Sequence, residues 1–576
     1  SFFDLHDQQL GNPIDWHRDF NQNIPSPKTL SGKIDYRDAR VAGDCKLVWD
    51  PNRHHQWLTL AQAHAISGDD SYVDALCDQM KSWLDENPYG YGMNWRSPLE
   101  LGIRMINWVW ALDLVRESGR IDEPLWQRLK RSLYLHAWDV SRKFSQGSSA
   151  NNHLIGEAAG VYVVACYFNN CEESAIWRAA SRDILITEIE RQSYSDGANR
   201  EQTFSYQLFV QQFFLLCGKV ADWSDSPMPA GYWSSLRTSV DFSTAMTQAC
   251  SALPMIGDAD DGYVYKLDWQ ETRLAEHQAL MASKDKSQEL AAQIRGTPAS
   301  VAWLGADAET FQTLSDLRAA APAPVLSSKR FDDSGYYLLQ HQNDSGQTIS
   351  ALLDAGELGY GAIAAHGHAD ALSILLRVDG KEILVDPGTY DYFTYPAWRN
   401  HFRSTRAHNT VEIDGADQSR MLGPFLWTDA ATAHLLEFSD DSDYAVAIAE
   451  HDGYKRLVDP VAHQRELRLH KADGSLRIVD RLNATAHHEA AIAYQFSEDC
   501  EVQSTDMNNQ FFVSNGSLKL LLTLDPKCDV ELFKGSDNPG PGWVSRGYHR
   551  KEPAWYLRAK AMFSGSTEIS AIFERL

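Results

Sequence analysis

No run of 18 consecutive apolar residues occurs in this chain of 576. The longest apolar stretches, such as Val161 to Phe168, have the length of core segments, so no membrane-spanning helix is expected. Positive charge is scarce. The 53 Lys and Arg face 78 Asp and Glu, a formal net charge of −25. That balance excludes nucleic acid as a general partner, because such binders carry a basic footprint. It also disfavours coating of anionic membranes. The eight cysteines (Cys45, Cys77, Cys166, Cys171, Cys217, Cys250, Cys500, Cys528) form no CxxC pair and no finger spacing. Most sit in apolar helical text and read as buried thiols, with a disulfide left open for an oxidising compartment. No glycine-rich phosphate loop and no G-x-S-x-G elbow occur, which argues against a nucleotide cradle and a serine-hydrolase nucleophile. The opening SFFDLHDQQL lacks both an initiator Met and a charged-then-apolar leader, as expected of a processed or trimmed chain.

What is present is ordinary for a folded protein: 43% hydrophobic and 23% charged residues. At about 150 residues per domain, the length suggests two to four domains. Aromatics are plentiful, with 18 Trp, 23 Tyr and 22 Phe. They suit either sugar-stacking platforms or core, and core is favoured for any single Trp.

The hydrophobic period changes once. Up to about residue 320, apolar residues recur at three- and four-residue steps. Examples are HHQWLTLAQAHAIS, LELGIRMINWVWALDLVRESG and NNHLIGEAAGVYVVACYF. Successive helical hairpins suggest an α/α toroid over 1–320; a bundle or a solenoid are the alternatives. No fixed-period repeat supports the solenoid. RAAAPAPVLSSKR reads as a linker. From 331 to 576 the period is two, with Asp-Gly and Asn-Gly turns, and VDGKEI is a strong hairpin signal. This predicts an antiparallel β-sandwich. Pockets favour domain interfaces, so a site at the junction is expected.

Five stretches could carry chemistry. In AAHGHADALSILLRVDGKEILVDPGTYDY and RNHFRSTRAHNTVEIDG, His368, Asp386 and His408 are a His/Asp/His set suited to zinc. The bland reading is histidines bonded to loop backbone. An ideal turn at Asp379-Gly380 sets Asp386 opposite Ser373, so the loop from Ala364 to Asp370 must fold back for His368 to reach the same ion. In SSANNHLIGEAAG, Asn151, Asn152 and His153 precede a helix; a cap explains one Asn, not two and a His. DGANREQTFSYQ holds Glu201 and Tyr206. NPYGYGMNWRSPLELGIRMINW holds Asn94, Trp95, Glu100 and Arg104, of which Glu100 and Arg104 are spaced to pair on one helix face. GDADDG, with Asp258, Asp260 and Asp261, lacks the later Glu of a calcium loop and reads as an acidic turn.

This inventory is Asn, His, Tyr and a second His, with no obvious acid pair. Glycoside hydrolysis needs two carboxylates in defined roles. β-Elimination on a uronate needs donors to the carboxylate, a base for the C5 proton and an acid for the departing O4. The inventory fits elimination better.

NNHLIGEAAG, DGANREQTFSYQ, HGHAD, VDPGTY and RAHNTV, in this order, resemble the heparinase II/III-like polysaccharide lyases, over roughly residues 50 to 480. The resemblance implies an N-terminal α/α toroid (an incomplete barrel) and a C-terminal antiparallel β-sandwich. It implies Asn152 as the group that neutralises the carboxylate, with His153 beside it, Tyr206 as the catalytic tyrosine and His366 as the catalytic histidine. It implies His368, Asp386 and His408 as ligands of a structural zinc. Gln207 departs from relatives that carry a His there. The oligoalginate group uses a further tyrosine, for which Tyr390, Tyr392 and Tyr395 are candidates. Asn94, Trp95, Arg104, Glu201, Arg399 and Arg403 are the candidates for substrate binding. The expected activity is β-elimination on a uronic-acid polysaccharide, glycosaminoglycan-like or a bacterial exopolysaccharide, leaving 4,5-unsaturated ends. Alginate or oligoalginate cleavage, a toroid glycoside hydrolase using Glu100, Glu157 or Glu201, and a non-catalytic binding protein are the alternatives. A periplasmic or secreted location follows from such a substrate; oligomeric state is left open.

The global −25 does not exclude an acidic glycan, since local charge governs steering. From Tyr392 to Val411 there is no Asp or Glu, while Arg399, His401, Arg403, Arg406 and His408 all fall there. A negative body with a cationic cleft at the domain junction is expected.

Overall fold

The computed structural model describes residues 10–576 apart from 269 and 297. The start of the chain, on which the reading of a processed opening rests, lies outside the described residues. Helices are followed by antiparallel sheets, as the change of period predicts. Helix gives way to strand between Ala320 and Lys329. Among the described residues no helix is long and apolar enough to cross a membrane.

In the helical part, amphipathic helices alternate with helices buried on every side. Ser71–Glu86 buries Val73, Leu76, Cys77, Met80 and Trp83, and Glu123–Ser141 buries Leu125, Leu129, Leu133, His136 and Val140. These are single stripes at helical spacing. Between them, Pro98–Val115 is buried over almost its whole length, and so is Asn152–Tyr167. Two layers of antiparallel hairpins, the arrangement of an α/α toroid, require this alternation. The two buried helices meet backbone to backbone. A Cβ on Gly102 would lie 2.4 Å from the Gly156 carbonyl oxygen, and one on Gly160 would lie 2.4 Å from Gly102 Cα.

The β part has a five-stranded meander from Lys329–Phe331 to Lys381–Leu384 and a ten-stranded sheet. Two long strands, Leu476–Gln495 and Trp555–Arg575, pair antiparallel through the middle of the larger sheet. Leu339, Ala351 and Leu376 of the meander share one core with Ile478, Ile492 and Leu557 of the larger sheet, which makes a β-sandwich. The turn at Asp379-Gly380 has both residues left-handed, φ 50° and 73°, as a two-residue hairpin requires.

Contacts divide the chain into two compact units that are not consecutive stretches. One holds the residues up to Ser193, Leu208–Val240 and Gly262–Ala321; the other holds Tyr194–Gln207, Asp241–Asp261 and Pro322–Leu576. Local bonds account for the two inserted segments. The Arg377 guanidinium donates to the carbonyls of Met246 and Ala252, and Asp196 accepts from the N–H and hydroxyl of Ser334. The β unit thereby acquires Glu201, Tyr206 and Asp258. All eight cysteines are free thiols.

Candidate active site and metal centre

The HGH segment folds back as its spacing demands. Tyr360 bridges to Ala365, and Ala364 and His366 take φ of 49° and 69°. Gly367 between the histidines admits no side chain, since a Cβ there would fall 1.5 Å from the Leu358 carbonyl oxygen. Asp386 follows the returning hairpin strand, and one of its oxygens accepts from Gly388 N–H. The neighbour of His408 anchors the third segment: the Asn409 amide donates to the carbonyls of Ile374 and Val385.

Three segments thus converge on one cluster. His368 Nδ1 stands 3.2 Å from His408 Nε2, which is 3.4 Å from Asp386 Oδ2. Asp370 is the fourth member; one donor atom from each of the four lies within 4.8 Å of the others, and all four residues are buried. Zinc bonds of about 2.0–2.1 Å at a tetrahedral angle separate neighbouring ligands by about 3.3 Å. The remaining imidazole nitrogens are occupied: His408 Nδ1 by the Ser404 carbonyl at 2.7 Å, His368 Nε2 by Asp258 Oδ1 at 3.0 Å. Metal-binding histidines are held by such outer partners. Burial keeps both imidazoles below the usual histidine range. Burial and the neighbouring Asp354 push Asp370 and Asp386 well above the usual carboxylate range. Two neutral imidazoles and two crowded carboxyls are a donor set that a divalent cation fits. Asp370 was missed from spacing, although it lies two residues beyond His368.

Beside this cluster lies a second one. Tyr206, in the first turn of the Phe204–Trp223 helix, has its hydroxyl 3.1 Å from that of Tyr392. Its ring lies 4.3 Å from that of His366. Burial holds both phenols well above the usual tyrosine range. His366 Nδ1 is 3.1 Å from Asp258 Oδ2, and its Nε2 is 3.6 Å from Glu201 Oε2. A carboxylate only accepts, so Nδ1 carries the proton and Nε2 is the atom left for chemistry. Phe425, half-buried on the hairpin Arg420–Thr428, packs against His366 at 5.2 Å and Tyr392 at 4.9 Å. Of the three candidate tyrosines, Tyr392 is the one bonded to Tyr206, while Tyr390 stacks on Tyr395.

Asp258 corrects the expectation of an acidic turn. It is fully buried and joins both clusters, and Arg399 donates to both of its oxygens. Burial alone would raise its pKa; Arg399 and the two histidines hold it well below the usual carboxylate range instead. Its partners lie 108 to 141 residues away, so nothing local announces it.

Several candidate substrate contacts prove to be interior. Asn94 donates to the Trp16 carbonyl and Asn87 Oδ1, Trp95 to the Asn87 carbonyl, and Arg104 to the carbonyls of Asn52 and Asn94. All three are at most 4% exposed, which removes them from any surface a polymer could reach. Glu100 pairs with Arg53 at 2.7 Å through both oxygens, not with Arg104. Glu201 is fully buried against His366, and Arg399 is spent on Asp258 and the Pro424 carbonyl. Arg403 is buried over the Trp427 ring and donates to the Pro424 carbonyl; Arg406 pairs with Glu412. His401 is lowered to about 4 by burial and then by Arg406, and is therefore neutral at pH 7. The basic segment thus carries less free charge than its composition suggests. Asn151 is the helix cap, accepting from His153 N–H, while Asn152 is buried in the first turn and His153 is half-buried. Gln207 fastens the preceding turn through the Gly197 carbonyl and Asn199 N–H.

Models of the heparinase II/III N-terminus and of the heparinase II/III-like C-terminal region match residues 5–275 and 323–570. The chain belongs to the heparinase II/III-like family. A heparin-sulfate lyase of Bacteroides stercoris is 23% identical over 561 residues, covering 92% of this chain and 74% of the relative. The crystal structure of heparinase III superposes with a TM-score of 0.73 at 17% identity, over 92% of this chain and 78% of that one. A chondroitin AC lyase of Streptomyces coelicolor A3 gives 0.56 at 11% identity, over 92% and 75%.

Proposed function

We propose that this family member is a polysaccharide lyase that cleaves uronate-containing chains by β-elimination. The observation that carries the reading is the Tyr206–Tyr392 hydroxyl pair, with the Tyr206 ring 4.3 Å from that of His366. His366 Nε2 accepts the C5 proton. The electron pair released forms the C4–C5 double bond as the C4–O bond breaks. Tyr206, kept protonated by burial, gives its proton to the departing oxygen. The Tyr392 hydroxyl orients that of Tyr206. Asn152 and His153 enter as the family resemblance implies, in neutralising the uronate carboxylate, and Asn152→Ala tests that role. A zinc held by His368, Asp370, Asp386 and His408 would supply a fixed charge that ties the loops together.

The substrate class favoured is a heparan-like glycosaminoglycan, from the named activity of the relatives; bacterial exopolysaccharide and alginate are the alternatives. Such a substrate puts the enzyme in the periplasm or outside the cell. A hydrolase loses ground because Glu100 is buried in an ion pair. Incubation with heparosan, heparan sulfate, hyaluronan, alginate and glucuronan tests the proposal. Ultraviolet absorbance of a 4,5-unsaturated uronate supports it, and new reducing ends without that absorbance refute it.

A further inference from the structure

We infer that Asp258 is a positioning residue that locks the rings of His366 and His368 to one another. The inference rests on the lyase reading for the role of His366, but not for the bonds themselves.

Each oxygen of this carboxylate takes a different histidine. Oδ2 faces His366 Nδ1 at 3.1 Å and Oδ1 faces His368 Nε2 at 3.0 Å. Arg399 closes the arrangement from the far side with one amino group on each oxygen. The carboxylate therefore cannot rotate toward one histidine without losing the other, nor without breaking from the guanidinium. A charge-assisted, two-pronged contact of this kind fixes geometry as well as energy.

The backbone repeats the link. Asp258 N–H donates to the His366 carbonyl at 3.0 Å, and Ala259 N–H to the Thr389 hydroxyl at 2.8 Å. A Cβ on Gly257 would collide with the Gln202 carbonyl oxygen at 2.7 Å and Thr203 Cγ2 at 2.8 Å, so this segment lies directly on the turn that leads into Tyr206. His366 sits at φ 69°, a conformation that persists for a non-glycine only when neighbours enforce it. Asp258 supplies that enforcement through both its N–H and its side chain. A metal-ligand histidine gains its orientation from an outer carboxylate. Here the same carboxylate also orients the proton-transferring histidine, so a displacement of either ring reaches the other.

The test pairs Asp258→Asn with Arg399→Lys and reads two properties of each. One is zinc affinity, by competition with a chelator; the other is kcat and KM on the cleaved glycan. Asp258→Asn is expected to weaken zinc by 10- to 100-fold and to lower kcat by about 100-fold with KM changed less than threefold. Arg399→Lys keeps the carboxylate and the charge but loses the fork, so both properties fall together, by about tenfold. A change in one property without the other, in either variant, overturns the inference. If Asp258→Asn does not fold, Arg399→Lys decides alone. If the wild type forms no unsaturated product, the lyase reading fails, and the inference is then judged on zinc: unchanged affinity in the variants overturns it.

Discussion

The hydroxyls of Tyr206 and Tyr392 stand 3.1 Å apart although the residues are 186 positions apart in the chain. Both are buried and both remain protonated at neutral pH. Only one of the two can be the direct proton donor to a leaving oxygen. In the proposed reaction that part falls to Tyr206, whose ring lies 4.3 Å from that of His366. Tyr206→Phe should lower kcat by about 10²- to 10⁴-fold, the usual weight of general acid catalysis. Tyr392→Phe should cost less, since it removes only the hydrogen bond that orients Tyr206. Melting temperature checks that folding is intact, because one lost hydrogen bond costs about 1 kcal/mol. Equal losses in the two variants would make the roles interchangeable.

A second expectation concerns the metal. Zinc bound only by the folded chain stabilises it by about 4 kcal/mol at a thousandfold excess over Kd. Removing it with a chelator, or substituting His408→Ala, should lower the melting temperature by roughly 10 °C. Elemental analysis should find one zinc per chain in the wild type, less in His408→Ala and none in the double variant His368→Ala/His408→Ala. Full retention of zinc by the double variant would exclude the cluster as the binding site.

Much of this was legible in the sequence, for local reasons. The change of period from 3.6 to two reports directly which faces are buried, and the fold follows. HGHAD, VDPGTY and AHNTV carry the cluster because Gly367 and the Asp379-Gly380 turn are dictated by local backbone geometry. Burial of three of the substrate candidates could not be read from the sequence. Asn94, Trp95 and Arg104 are polar or aromatic at the start of a helix, which a sequence reads as accessible, yet tertiary hydrogen bonds bury them. Asp258 was illegible for the converse reason: an acidic turn looks solvated unless its distant Arg399, His366 and His368 are known.

Phe425 should act on binding more than on turnover. It is the half-buried ring of the hairpin that flanks His366 and Tyr392, and the neighbouring Leu422 is 66% exposed. A sugar stacked on its face would gain about 1 kcal/mol or more, so Phe425→Ala should raise KM about five- to tenfold. Phe425→Leu keeps apolar area without a ring face and should fall between. A pure kcat effect in both variants would assign the ring to packing of His366 instead.

In the helical unit, Glu276 should make stability depend on pH. It is fully buried and accepts from the Tyr265 hydroxyl at 2.7 Å. Burial, opposed by hydrogen bonds from Ser300 and Tyr265, pushes it up from 4.5 to about 7. Below about pH 4.5 the folded and unfolded chains both carry the proton, and the group is neutral to stability. Between about 4.5 and about 7 the unfolded chain releases it while the folded chain keeps it, so stability falls as pH rises. Above about pH 7 the loss is complete, and at about 1.4 kcal/mol per pH unit it amounts to about 3 kcal/mol. Glu276→Gln keeps the shape and an acceptor for Tyr265 but cannot ionise. It should match the wild type in melting temperature near pH 4.5 and exceed it at pH 8. Calorimetry at the two pH values checks this, and a variant no more stable than the wild type at pH 8 would show that folding does not raise the pKa of Glu276.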